Sequence, residues 1–336
     1  MRPYDAVLLV SFGGPEAPDD VMPFLENVTA GRGVPRERLA EVAEHYLAVG
    51  GASPINGQNR ALLEAVRADL AAHDVALPVY WGNRHWTPTL PQVLADMRDD
   101  GVTNAIAFLT SAYASYSSCR QYLDAIEQAR QEIGDGAPKV DRLRQYFNHP
   151  GFVEPMINGV RDALATLPAA ERAGARLAFV AHSIPTAMDA VSGPTGRVYT
   201  EQLVEAVRLV SAGVGGDHPA TLSYCSRSGS PAVPWLEPGI ANRLAELSSM
   251  GARAVVVVPI GFVSDHMEVA YDLDTEAAAV AAGLGLRFVR SRTVGTEPRF
   301  VAMVRELVLE RMGDVAPRSL GSLGPAHDVC AVDCCR

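Results

Sequence analysis

The sequence predicts an α/β protein of two Rossmann-like lobes, each built on a parallel sheet, with a substrate cleft between them. Three observations carry this. Apolar, β-branched runs recur at 6–12 (AVLLVSF), 78–82, 105–110, 176–182, 220–225 and 254–260 (AVVVVPI). Runs of this kind are how parallel strands read when both faces are covered. Amphipathic stretches lie between them, at 35–48, 57–73, 119–134, 152–166, 200–213 and 297–312, and strand alternating with helix implies βαβ units. The pattern also starts twice, once from 6 to about 145 and again from 176 to about 290.

Residues 1–150 are assigned to the first lobe and 151–312 to the second, with the stretch 152–166 crossing between them and the last helix packing back on the first half. The segment 313–336 is rich in Gly, Pro, Ser and Cys and lacks periodicity. Alone it would be a disordered tail, but its cysteines argue that something ties it down. The chain's 336 residues fit two domains of ordinary size. No run approaches the roughly 18 apolar residues of a membrane span. The first apolar run follows Asp5 and stops at Gly13-Gly14, which reads as a strand and not a signal peptide. A cytoplasmic location is expected. A net charge of −10 disfavours nucleic acid, which asks for a basic footprint. Lys139 is the only lysine, a bias attributable to a GC-rich genome.

In open α/β sheets, ligands bind beyond the carboxyl ends of the strands. The first strand ends in Gly13-Gly14-Pro15, a tight turn before Asp19 and Asp20. It is not the dinucleotide fingerprint GxGxxG, so an oxidoreductase is the least favoured class. The run 176–182 delivers His182 and Ser183. An imidazole there can take protons near neutral pH, although an isolated His is more often satisfied by local hydrogen bonds. No G-x-S-x-G elbow surrounds Ser183.

The segment 259–280 (PIGFVSDHMEVAYDLDTEAAAV) carries more chemistry. Asp265, His266 and Glu268 follow a strand end, then Asp272, Asp274 and Glu276. On a helix, Glu268, Asp272 and Glu276 lie at i, i+4 and i+8, on one face. Such a row is usually a solvated acidic face. Here it begins at a cleft beside a His, and oxygen and imidazole donors suit a divalent first-row metal.

Five segments, VLLVSFGGP, GGASPIN, FVAHSIP, SRSGSPAVPWLEP and PIGFVSDHMEVAYDLD, with GRG at 31–33, resemble the ferrochelatase family in order, across about residues 4–312. The most specific are AHSIP and GFVSDHMEV. The resemblance implies a chelatase-like fold, with a porphyrin between the lobes and Fe²⁺ as the second substrate. His182 matches the family's His and is implied to accept pyrrole protons or to ligate the metal. Glu268 matches its essential Glu, expected to face His182 across the macrocycle, with His266 orienting it. Asp272 and Glu276 are implied to line a path for iron entry or proton exit. Ser53 and Arg32 resemble contacts to substrate propionates, and Tyr122 and Trp235 resemble cleft-lining positions. Some members have Tyr in the first-strand motif where this chain has Phe12, which can neither ligate a metal nor donate a hydrogen bond.

Five cysteines are present: Cys119, Cys225, Cys330, Cys334 and Cys335. A subset of the family holds a [2Fe–2S] cluster on one internal and three C-terminal cysteines. The resemblance thus implies Cys330, Cys334 and Cys335, with Cys119 or Cys225 as the fourth ligand. Cys119 is preferred, because it opens a helix whose N-terminus would favour its thiolate, whereas Cys225 reads as a small buried residue. The alternative is a tail of reactive thiols. The Arg/Ala-rich composition and the CxxxCC tail look actinobacterial, and members from that group are similar to enzymes acting on coproporphyrin III. Protoporphyrin IX is the alternative substrate. A porphyrin or haem carrier, and a cobalt or nickel chelatase, are the other classes to be tested. Bacterial members are commonly monomeric.

Overall fold

The computed structural model describes residues 3–31, 33–228, 232–331 and 334–335. Its frame is two four-stranded parallel sheets. The first comprises β1 (Ala6–Ser11), β2 (Val79–Asn83), β3 (Asn104–Leu109) and β4 (Lys139–Arg142), in the order β2-β1-β3-β4. The second comprises β5 (Arg176–His182), β6 (Ala220–Cys225), β7 (Ala254–Val258) and β8 (Arg287–Arg290), in the order β6-β5-β7-β8. Both sheets therefore repeat one topology, a central first strand with its partners wound to either side.

The central strands are buried along most of their length. Every residue of β1 and of β7 is buried, as Val- and Leu-rich runs covered by helices on both faces should be. The outer strands β4 (KVDR) and β8 (RFVR) are short, partly exposed and charged, a common protection for sheet edges. The helix Pro150–Thr166 leads out of the first lobe and packs on Val198–Val214 of the second. The last helix, Pro298–Met312, packs against both Pro150–Thr166 and Ile55–Ala72 of the first lobe. Helix Val21–Val28 starts beside Asp19 and Asp20, where the sequence placed a helix start, and helices Leu90–Asp99 and Ile240–Ser249, not picked out from the sequence, cover further faces. Among the described residues no helix is long and apolar enough to cross a membrane.

The tail is not loose along its described length. Leu320 N–H donates to Asn148 O (2.8 Å), the Asn148 side chain to Gly324 O (2.7 Å), and Ser322 N–H to Glu205 (2.9 Å).

Candidate active site and a neighbouring thiol pocket

In each sheet the chain winds one way from its first strand and then back across it, so the strand order switches between β1 and β3 and between β5 and β7. Crevices form at such switch points. Here both open on one cleft. It is lined by Phe12, Gly13 and Gly14 after β1, by Thr110 after β3, by His182 at the end of β5 and by Gly261–Ser264 and His266–Glu268 after β7, and it spans about 1130 Å³ with its open mouth. Two glycines permit the close approach. A Cβ on Gly261 would lie 2.7 Å from Ala181 Cα, and one on Gly14 would lie 2.8 Å from Ser53 Cβ.

His182 and Glu268 meet in this cleft, with Nε2 and Oε2 3.5 Å apart and side chains 36% and 42% exposed to it. His182 Nδ1 is held by Ser183 O, which turns Nε2 to the carboxylate. Burial alone would lower the imidazole, but the charge and hydrogen bond of Glu268 outweigh it and raise His182 to about 9. Burial likewise works to raise Glu268, yet His182 holds it down at about 2. The two therefore form an ion pair at neutral pH. This corrects the expectation that they face each other across a macrocycle. Their strands β5 and β7 are neighbours in one sheet, so both groups project from the second lobe, too close together for a ring to lie between them.

His266 lies beside Glu268. Its Nδ1 accepts the Glu268 N–H at 3.1 Å, and burial lowers its pKa. From Val269 to Ala277 the chain winds as a wide π-helical turn and not as the expected α-helix. Asp272 accepts a hydrogen bond from Ser226 Oγ at 2.5 Å, and burial raises it to about 6. Ser226 holds a left-handed backbone, φ 60°, rare for a residue other than Gly and found where surroundings enforce it. Glu276 lies further along, exposed, its charge acting on Asp272.

Ser53, Tyr122 and Phe12 line the cleft. Trp235 is not among its lining residues; its backbone instead pairs with Pro185. Arg32 lies outside the described residues. Sequence reading missed Arg84, which lines the cleft with its guanidinium 4.6 Å from the Tyr122 ring centre and bonded to Gln121 at 3.2 Å. It also missed Tyr46, pushed well up in pKa by burial and by the charges of Glu268 and Asp272.

Next to cleft-lining Ser118, Cys119 is buried in a separate cluster of thiols with Cys330, Cys334 and Cys335. Cys119 Sγ is 4.0 Å from Cys335 Sγ, Cys335 is 4.0 Å from Cys334 Sγ, and Cys330 packs against the same cluster. Cys225 is elsewhere, beside Ser226. Arg142, 4% exposed, donates to Cys330 Sγ at 3.1 Å, and Gly193 N–H donates to Cys335 Sγ at 3.1 Å. His327 Nε2 lies 3.4 Å from Cys330 Sγ and 3.8 Å from Cys334 Sγ. The Cys119 thiol donates to Ser115 O at 3.2 Å, and the neighbouring Cys330 and Cys335 sulfurs together with burial raise its pKa.

The ferrochelatase family model matches residues 4–312. A protein of Streptomyces coelicolor named coproporphyrin III ferrochelatase is 56% identical over 350 residues, covering 99% of this chain and 93% of that one. One of the same name from Frankia alni is 55% identical, covering 98% and 86%. A ferrochelatase of Rhodopirellula baltica is 49% identical, covering 100% and 94%. Among solved structures, SirB from Bacillus subtilis with Fe³⁺ superposes with a TM-score of 0.57 at 12% identity, covering 92% and 97%, a likeness of fold alone. The family match runs through both sheets and the cleft they share, and the chain belongs to the ferrochelatase family of enzymes.

Proposed function

We propose that the protein inserts Fe²⁺ into coproporphyrin III, giving iron-coproporphyrin and two protons in haem biosynthesis. The observation that carries this is the His182–Glu268 pair at the meeting of two switch points. The relatives' names support the choice of porphyrin. Two pyrrole protons must leave as the metal enters. Glu268 is a carboxylate above about pH 2 and can take a proton. His182 can do so only after releasing its own, because it stays protonated up to about 9. Ser226 Oγ–H donates to Asp272, which feels the charges of both Glu268 and Glu276, and this acidic row offers protons a way outward from the ring. His266 fixes the Glu268 backbone. Ser53, Arg84 and Gln121 offer donors to the ring's carboxylates. Trp235 and Arg32 have no assigned part in this scheme.

Steady-state insertion under anaerobic Fe²⁺ tests the substrate. Coproporphyrin III should be preferred, and a preference for protoporphyrin IX would overturn the choice. A carrier without catalysis is separated by the same assay, since it would bind either ring and insert no metal.

The four thiols Cys119, Cys330, Cys334 and Cys335 are proposed to hold a [2Fe–2S] cluster. The fit is supported by their mutual contacts and by the Gly193 and Arg142 donors to sulfur. When bound, the cluster supplies a one-electron redox centre. The grouping of His327 with Cys330 and Cys334, ligand atoms within 4.8 Å of one another, favours a second reading, a single metal ion. Iron and acid-labile sulfide in anaerobically purified protein would support the cluster; zinc without sulfide would support the single ion. The unpaired state of all five cysteines supports a reducing compartment, the cytoplasm, and one chain supplies both walls of the cleft, as a monomer requires.

A further inference from the structure

Arg290 is the last residue of β8, and its place is fixed by sheet pairing to Val257. Its side chain is 18% exposed and reaches two carboxylates at once. Nη1 and Nη2 each lie 3.2 Å from an oxygen of Asp265, and Nε lies 2.5 Å from Asp274. Asp265 directly precedes His266, and Asp274 lies beyond Asp272 in the π-helical turn. One guanidinium therefore grips the chain on both sides of Glu268. Asp265 is held from two further directions. Thr293 Oγ1 donates to its carboxylate at 3.1 Å, and its own N–H donates to Gln58 Oε1 of the first lobe at 2.8 Å.

We propose that Arg290 is a positioning residue for metal insertion, a clip that joins Asp265 to Asp274 and so holds Glu268 against the His182 ring. A wide helical turn crowded with carboxylates has little reason of its own to stay wound, because like charges one turn apart repel. A planar, bidentate cation on a rigid strand is suited to hold it. The inference rests on the catalytic reading of the His182–Glu268 pair.

Arg290→Met and Arg290→Lys test it against wild type in anaerobic Fe²⁺ insertion, alongside porphyrin binding followed by fluorescence quenching. In Arg290→Met, kcat should fall roughly 10- to 100-fold, the scale set by small displacements of a reacting group, with porphyrin affinity little changed. Arg290→Lys keeps the charge but cannot span both carboxylates, and should recover only part of the loss. Unchanged kcat in Arg290→Met would overturn the clip. So would parallel losses of kcat and porphyrin affinity with no recovery in Arg290→Lys. If Arg290→Met does not fold, Asp274→Asn opens one jaw and leaves the Asp265 contacts, and the same split between kcat and affinity is read there. Failure of wild type itself to insert iron would strike the reading of the site and not the clip.

Discussion

His182 and Glu268 hold a proton between them, and each sets the other's charge. Removing one partner therefore has a defined sign. In Glu268→Gln the imidazole loses the carboxylate that raises it, and burial, its largest influence, is left to act. The His182 titration should fall well below about 9, to where burial balances the pull of the Ser183 carbonyl and the Asp272 charge, as read by NMR of the ring protons. Persistence near 9 would mean that some other group holds the proton. His182→Ala and Glu268→Gln should both abolish iron insertion and leave porphyrin binding largely intact. Normal insertion in both variants would remove the catalytic assignment. Asp272 behaves in the opposite sense to Glu268. Burial raises it to about 6 from 3.8, so the folded state takes up its proton more readily than the unfolded chain. The stability this brings is fully present below pH 3.8 and is lost as pH rises through about 6. Asp272→Asn should therefore raise the melting temperature above pH 6, by an amount that shrinks to nothing below pH 4. An equal gain at every pH would show that the carboxylate's charge is not what the fold opposes.

At the scale of elements, the thiol pocket joins three separate pieces of chain. Cys119 belongs to the turn that opens the helix lining the cleft, Gly193 follows the strand that carries His182, and Cys330, Cys334 and Cys335 come from the tail. Cys119→Ser should lose bound iron and sulfide and its visible absorption, while Cys225→Ser should keep them. The reverse result would move the fourth ligand to Cys225. Such a pocket was only partly legible in the sequence, because Cys119 and Cys335 are 216 residues apart and no local pattern links them. The same holds for Ser226 with Asp272, 46 residues apart, and for Arg290 with Asp265, 25 apart. The buried strands were legible because burial on both faces demands a continuous run such as AVVVV. The edge strands KVDR and RFVR look like loops, since charged residues suit their exposed side. His182 was legible because a strand end in this architecture is where a ligand comes. The width of the turn after Glu268 was not, because a carboxylate at every fourth position fits an α-helix equally well.

Over the whole molecule, the question is whether the two lobes stand or fall together. The chain ends its second lobe with the helix Pro298–Met312, which returns to pack on the first. Several ion pairs fasten it there, Arg311 with Asp141 of β4 at 3.4 Å among them, and two are the least exposed. Arg305 meets Asp69 at 2.7 Å, both 16% exposed. Arg144, just beyond β4, grips Glu310 with contacts of 2.5 and 2.9 Å, at 2% and 7% exposure. The buried pair is the more consequential, because truncating one partner leaves an uncompensated charge inside, at a cost of about 3–5 kcal/mol. Glu310→Ala should lower the urea midpoint accordingly. The tryptophans report where the loss falls. Trp81 and Trp86 are in the first lobe and Trp235 is in the second. A Trp235→Phe background makes fluorescence a probe of the first lobe alone, to be compared with far-UV circular dichroism of the whole. With the helix fastened, the two transitions should coincide, the mark of one cooperative unit. In Glu310→Ala they should separate, with a smaller m-value for each, since each step then exposes less surface. Separate transitions without the substitution would show that the cleft, and not the returning helix, marks the limit of cooperative folding.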